Sequence, residues 1–179
     1  MNWRAGIGIL LLATLSTTSC AADDRPPAAL EFKSFDRTPD GYRVRFVSDV
    51  DLSRREDEMR VGEWLVCELD GDTDFSVQHR ISQFARGDIA PDRGDAADGG
   101  GGGWTYRADI DFYQTLDQGT SEQYLESDEV RKLLARRQVI ACRVVMTIYL
   151  GQPYYSRTMQ MPVREIVAGL DAEEAEPRR

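Results

Sequence analysis

Between residues 104 and 112 the sequence alternates strictly. Trp104, Tyr106, Ala108, Ile110 and Phe112 are apolar, and Thr105, Arg107, Asp109 and Asp111 between them are polar. Successive side chains of a strand point to opposite faces, so this stretch puts one aromatic face on a core and one charged face in water. A helix would scatter the same residues around its axis. The pattern recurs. Tyr42, Val44 and Phe46 alternate with Arg43 and Arg45, and the Asp40-Gly41 turn signal before them makes 30–48 a predicted hairpin whose first strand is Leu30 to Phe35. Trp64 to Leu69 is apolar on both faces, which suits an interior strand. Asp70 to Asp74 then makes a turn, and Phe75, Val77, His79 and Ile81 read as one face of a partner strand. Gln138 to Leu150 presents Ile140, Cys142, Val144, Met146, Ile148 and Leu150 on one side. Gly151-Gln152-Pro153 turns it, and Tyr154 to Val163 returns as a final strand.

The remaining segments break the β pattern. Residues 49–61 are charged and read as a loop or an exposed helical turn. Residues 86–103 end in five consecutive glycines, Gly99 to Gly103, and are expected to form a mobile loop. Residues 121–137 favour a helix with Ser127 as N-cap, Asp128 and Glu129 in the first turn, and Val130, Leu133 and Leu134 as its apolar stripe. Arg164 to Leu170 can form one short helical turn, and 171–179 is a charged tail expected to be disordered. Seven candidate strands and one short helix predict a mainly β domain over 30–170. An antiparallel β-sandwich is favoured and a β-rich α+β domain is the alternative. An immunoglobulin-like architecture is compatible, but the residue two before Cys142 is Ile140, so the tyrosine corner of that family is missing.

The first twenty residues belong to a different kind of signal. Met1 to Arg4 carries one positive charge, and Ala5 to Leu15 then runs eleven residues without a charge. That is the length of the apolar part of an export signal and well short of the ~20 residues of a membrane-spanning helix. Ser16-Thr17-Thr18-Ser19 follows, and then Cys20.

This stretch resembles bacterial lipoprotein precursors, whose signal ends in a small residue directly before a cysteine that receives lipid. Ser19-Cys20 fits and Thr18 is acceptable, while Thr17 departs from the usual leucine. The resemblance covers residues 1–20 alone. It implies a signal peptide over 1–19, lipid on Cys20, a flexible tether over 20–29 and an address in the bacterial cell envelope, facing the periplasm. By the same resemblance Ala21, rather than Asp, suits the outer membrane more than the inner. Two other readings stay open, an ordinary export signal cut near Ala21-Ala22 and an uncleaved anchor.

Composition narrows the partners. Loss of Arg4 with residues 1–19 takes the formal net charge from −9 to −10. Such acidity argues against nucleic acid, whose phosphates call for a surplus of Lys and Arg. It suits a cationic protein partner and leaves any hold on a membrane to the lipid at Cys20. The two other cysteines, Cys67 and Cys142, both lie in strand-like runs. They are expected to form a disulfide in an oxidising compartment, the alternative being two buried thiols.

Chemistry is sparse. His79 is the one histidine, no G-x-S-x-G elbow occurs, and Gly99 to Gly103 lacks the Lys-Ser/Thr of a phosphate loop. Asp70, Asp72 and Asp74 place carboxylates at alternate positions, a weak calcium candidate. Phe75 and Ile81 stand where an EF-hand needs Gly and Glu, so that motif is refused; one histidine excludes a histidine-rich zinc site, and no cofactor is expected. Asp109 and Asp111 share the wet face of a strand, and hydrolysis would need two carboxyls opposed across a cleft. The leading reading is thus a non-enzymatic envelope lipoprotein that binds another protein, such as a periplasmic inhibitor or immunity protein. The alternatives are an accessory component of an envelope or secretion assembly and a carboxylate-based hydrolase.

Overall fold

A computed structural model describes residues 25–53, 59–92 and 103–175. Residues 1–24, with the signal segment, Cys20 and the start of the tether, and residues 54–58, 93–102 and 176–179 lie outside them. The alternation is realised as mainly antiparallel β structure. The strands are β1 (Leu30–Thr38), β2 (Gly41–Ser48), β3 (Arg60–Glu68), β4 (Gln83–Pro91), β5 (Trp104–Leu116), β6 (Ser121–Tyr124), β7 (Val139–Ile148), β8 (Tyr154–Tyr155) and β9 (Met159–Pro162). Two helices join them, α1 (Ser127–Leu134) and α2 (Val163–Ala175). All nine strands belong to one sheet, in the order β1-β2-β5-β4-β3-β7-β8, with β6 on β5 and β9 on β7.

The sheet curls until its far strands meet. β1 packs against β9 and α2, and this closes a sandwich-like core. The approach of helix to strand is close: a Cβ on Gly169 would stand 2.5 Å from the Phe35 ring. Inside lie Val44, Phe46, Leu65, Ala108, Ile110, Ile140, Val144 and Met146, on the faces that the period-two pattern marked. Val130 and Leu134 of α1 and Ile166 and Leu170 of α2 seal the open side. Cys67 and Cys142 sit directly opposite each other on β3 and β7 and form the expected disulfide, with Cα atoms 4.0 Å apart.

Several expectations are corrected. Residues 75–81 form an irregular loop, and the partner strand of β3 is β4, which takes up 86–91 of the expected glycine-rich loop. Residues 121–124 pair with β5 as β6 instead of starting a helix. The N-cap of α1 is Glu126, which completes a capping box with Glu129, and Ser127 is the first helical residue. Residues 163–175 are helical, so the tail is ordered through Ala175. The tether is fixed at its domain end. Ala28 is fully buried, its N–H donates to the Tyr154 hydroxyl at 2.8 Å, and that hydroxyl donates to the Pro26 carbonyl. Trp104, expected on a buried face, is exposed, and so is Leu150 at the end of the apolar face of 138–150.

Candidate functional site

The outer face of the sheet carries its own small apolar cluster. Phe84 on β4, Ala141 and Val145 on β7, and Phe75 and Ile81 from the 69–82 loop are buried there, away from the main core. This explains why Trp64 to Leu69 is apolar on both faces. Leu65 and Cys67 face the main core, while Trp64 and Val66 lie beneath the loop side. Trp64 lies across Gly62, where a Cβ would come within 2.0 Å of the indole.

One buried carboxylate knits this end together. Glu68, at the end of β3, is 1% exposed. It accepts two hydrogen bonds from the Arg137 guanidinium, both 2.6 Å, and others from the Ala141 N–H at 2.9 Å and the Gly71 N–H at 2.6 Å. Four donors satisfy the carboxylate that burial would otherwise penalise heavily. Glu68 thereby joins β3, the following turn, the segment after α1 and the start of β7. The Glu68 hydrogen bond in turn raises the Arg137 pKa above its ordinary value. Nothing in the local pattern singled out Glu68, because one charge ending an apolar run reads as the edge of a strand. Arg137, at the end of the stretch expected to be helical, carries no local signal of this pairing either.

The loop is built from acid side chains turned onto their own backbone. Asp70 accepts from the N–H of Asp72, Asp72 from that of Asp74, and Asp74 from that of Ser76, at 3.0–3.1 Å. The calcium candidates are thus engaged one after another along the chain. Among the described residues no three metal-binding side chains gather closely enough to hold an ion. His79 Nε2 meets Asp72 Oδ2 at 2.5 Å, and Nδ1 lies 3.8 Å from Asp74. The hydrogen bond to Asp72 raises the His79 pKa and lowers that of Asp72, and the Ser76 N–H lowers that of Asp74. Among the described residues the imidazole has no hydroxyl or thiol partner, so no nucleophile is paired with it.

Between loop and sheet runs an open groove of about 370 Å³. Val66, Val77, Phe84 and Val145 give it an apolar lining, and Arg86 and Glu122 give it a charged side. Arg86 is fixed on two fronts, bidentate to Glu122 at 2.7 and 3.0 Å and stacked over the Phe84 and Tyr113 rings. The Tyr113 ring lies tilted against that of Tyr124, and burial together with that neighbour pushes its pKa up to about 12. The groove has an apolar floor and a polar rim.

A second, more polar depression of about 500 Å³ lies at the β1–β2 hairpin and holds Asp109 and Asp111. Asp109 is taken by Arg43 at 2.6 Å, and burial raises the Asp111 pKa. The two carboxyls stand two residues apart along β5, beside each other and not across the depression. No family model, no curated protein and no solved structure matches the chain.

Proposed function

We propose that this is a lipid-anchored envelope protein whose β domain binds a protein partner through the outer-face groove, as a periplasmic inhibitor or immunity protein would. The observation that carries the reading is the groove itself: an apolar floor with a fixed Arg86–Glu122 rim, held open by a loop tied down at Glu68 and at Phe75. The lipoprotein-like segment ending at Cys20 and the disulfide both suit an oxidising compartment outside the cytoplasm. The acidity of the chain favours a cationic partner. Affinity capture from solubilised envelope tests it. A partner is expected at low salt that is lost at high salt and lost with Val77→Glu. Recovery of nothing at low salt, or of the same proteins with Val77→Glu, contradicts it.

A carboxylate-based hydrolase is the second reading, favoured by the raised Asp111 beside Asp109 in a polar depression. Hydrolysis of cell-wall glycan that disappears with Asp111→Asn would establish it. Indifference to that substitution would end it.

A further inference from the structure

The strands impose a common direction on the domain. β1 begins at the end of the sheet where β2 ends, β5 begins, β3 begins and β7 ends, as the pairings Leu30↔Ser48, Ser48↔Trp104 and Arg60↔Ile148 require. The chain coming from Cys20 enters at this same end. Arg25 lies over the Tyr154 ring, and Tyr154 fixes Pro26 and Ala28. Five residue steps separate Arg25 from Cys20, a reach of at most about 18 Å. A lipid on Cys20 therefore holds this end of the domain next to the bilayer.

The same end carries a rim of exposed apolar side chains. Met59 and Val61 stand at the start of β3, Trp104 at the start of β5, and Tyr149 and Leu150 in the turn after β7. Leu150 is 85% exposed and Val61 67%. The Tyr149 N–H donates to the Met59 carbonyl at 2.9 Å, which holds the two sides of the rim together. Leu150 keeps a backbone φ of +56°, a region that bulky residues rarely adopt, at the tip of its turn. Alternation along β5 and β7 marks Trp104 and Leu150 as core residues, yet the core stops short of both. Isolated exposed apolar residues are ordinary, but five at the one end of the sheet where the chain from Cys20 enters are not scattered.

We infer that this rim docks on the surface of the lipid bilayer, with Tyr149, Leu150, Met59, Val61 and Trp104 set among the headgroups and upper acyl chains. Tyrosine and tryptophan suit that depth, having an apolar body and a polar tip. Arg60 is bonded to Glu63 and to the Leu52 and Ser53 carbonyls, and the charge of Arg25 acts on Asp51. Apolar contact, and not attraction to anionic headgroups, is thus the force invoked. The inference rests on the lipid anchor at Cys20 and deepens it: the anchor then fixes an orientation, with the groove turned away from the membrane.

The test uses the processed full-length chain in vesicles of phosphatidylethanolamine and phosphatidylglycerol. A fluorophore is placed by Leu150→Cys or, at the opposite end of the sheet, by Asp40→Cys, and brominated lipids serve as quenchers. Mass spectrometry reports in parallel whether Cys20 carries lipid. With lipid present, quenching at position 150 is expected to be at least twofold stronger than at position 40, and unchanged by 0.5 M salt. Lipid on Cys20 with equal, weak quenching at both positions overturns the docking and leaves the anchor standing. A probe at 150 shielded from water but not quenched overturns it in favour of a protein or a second copy on the rim. Absence of lipid on Cys20 overturns anchor and docking together.

Discussion

Where β3 begins and β7 ends, Val61, Tyr149 and Leu150 stand in water. Where β3 ends and β4 begins, even the charged Glu68 is buried. The two ends belong to one sheet with one alternating pattern, so the pattern does not explain the contrast. At the Glu68 end the turns and the segment after α1 fold back over the strands. Each polar group that this covers finds a donor or acceptor: Glu68 has Arg137, Gly71 and Ala141, and the 70–76 turns bond to themselves. At the entry end no helix covers the rim among the described residues, and the side chains there are apolar all the same. One end is thus finished within the chain. The other leaves apolar side chains exposed, as the inferred bilayer contact requires.

The disulfide lies at the Glu68 end, one residue before it on β3, and its loss sets the upper scale. Cys67→Ala with Cys142→Ala releases a loop spanning 75 residues, which in the chain-entropy view costs about 4 kcal/mol. The urea midpoint, compared with that of the oxidised protein, measures it. Arg137→Ala comes next. It leaves Glu68 as an uncompensated buried charge, and a loss of about 3 kcal/mol is expected at the finished end. Replacing both residues by Leu should recover only part of that loss, because the N–H groups of Gly71 and Ala141 would still lack an acceptor.

A smaller effect follows from His79. Its pKa is raised above the ordinary 6.5 in the folded state, so its contribution is complete below 6.5 and fades as pH rises through the raised value. Asp72 and Asp74 are lowered below 3.8, so their contribution is complete above 3.8 and is lost as pH falls through the lowered values. The loop should therefore be best held between about pH 4 and 6.5. Proteolysis within 70–82, followed against pH in wild type and His79→Ala, reads this: the fall at higher pH should vanish in the variant. Smallest of all is the entry rim. Tyr149→Ser with Leu150→Ser should change the unfolding free energy by no more than about 0.5 kcal/mol, because little burial is lost. A fall of 2 kcal/mol there would show the rim to be part of the core and erase the contrast between the ends.

The sequence made the strand faces legible because burial and the two-residue period coincide along β2, β5 and β7. It also made the Cys67–Cys142 pairing an expectation. What escaped it has common physical causes. Phe75, Val77 and Ile81 alternate like a strand, yet Asp72 and Asp74 before them accept from the backbone N–H groups two residues on and hold a loop. Gly87 and the residues around it resembled a loop by composition, and pairing with β3 and β5 made them a strand. Glu68 could not be read at all, since its partners lie up to 73 residues away. Alternation also cannot tell where a core ends, and that is why Trp104 and Leu150 were misplaced. The groove assembles from β3, β4, β6, β7 and a loop, so no single stretch of sequence announces it.

The most direct test of the account is photo-crosslinking in intact envelope from a photoreactive residue placed at Val77 or at Leu150. An anchored domain with one end on the bilayer and the groove turned toward a partner predicts a protein adduct from Val77 and a phospholipid adduct from Leu150. The same adduct from both positions, or lipid from Val77 and protein from Leu150, would contradict it.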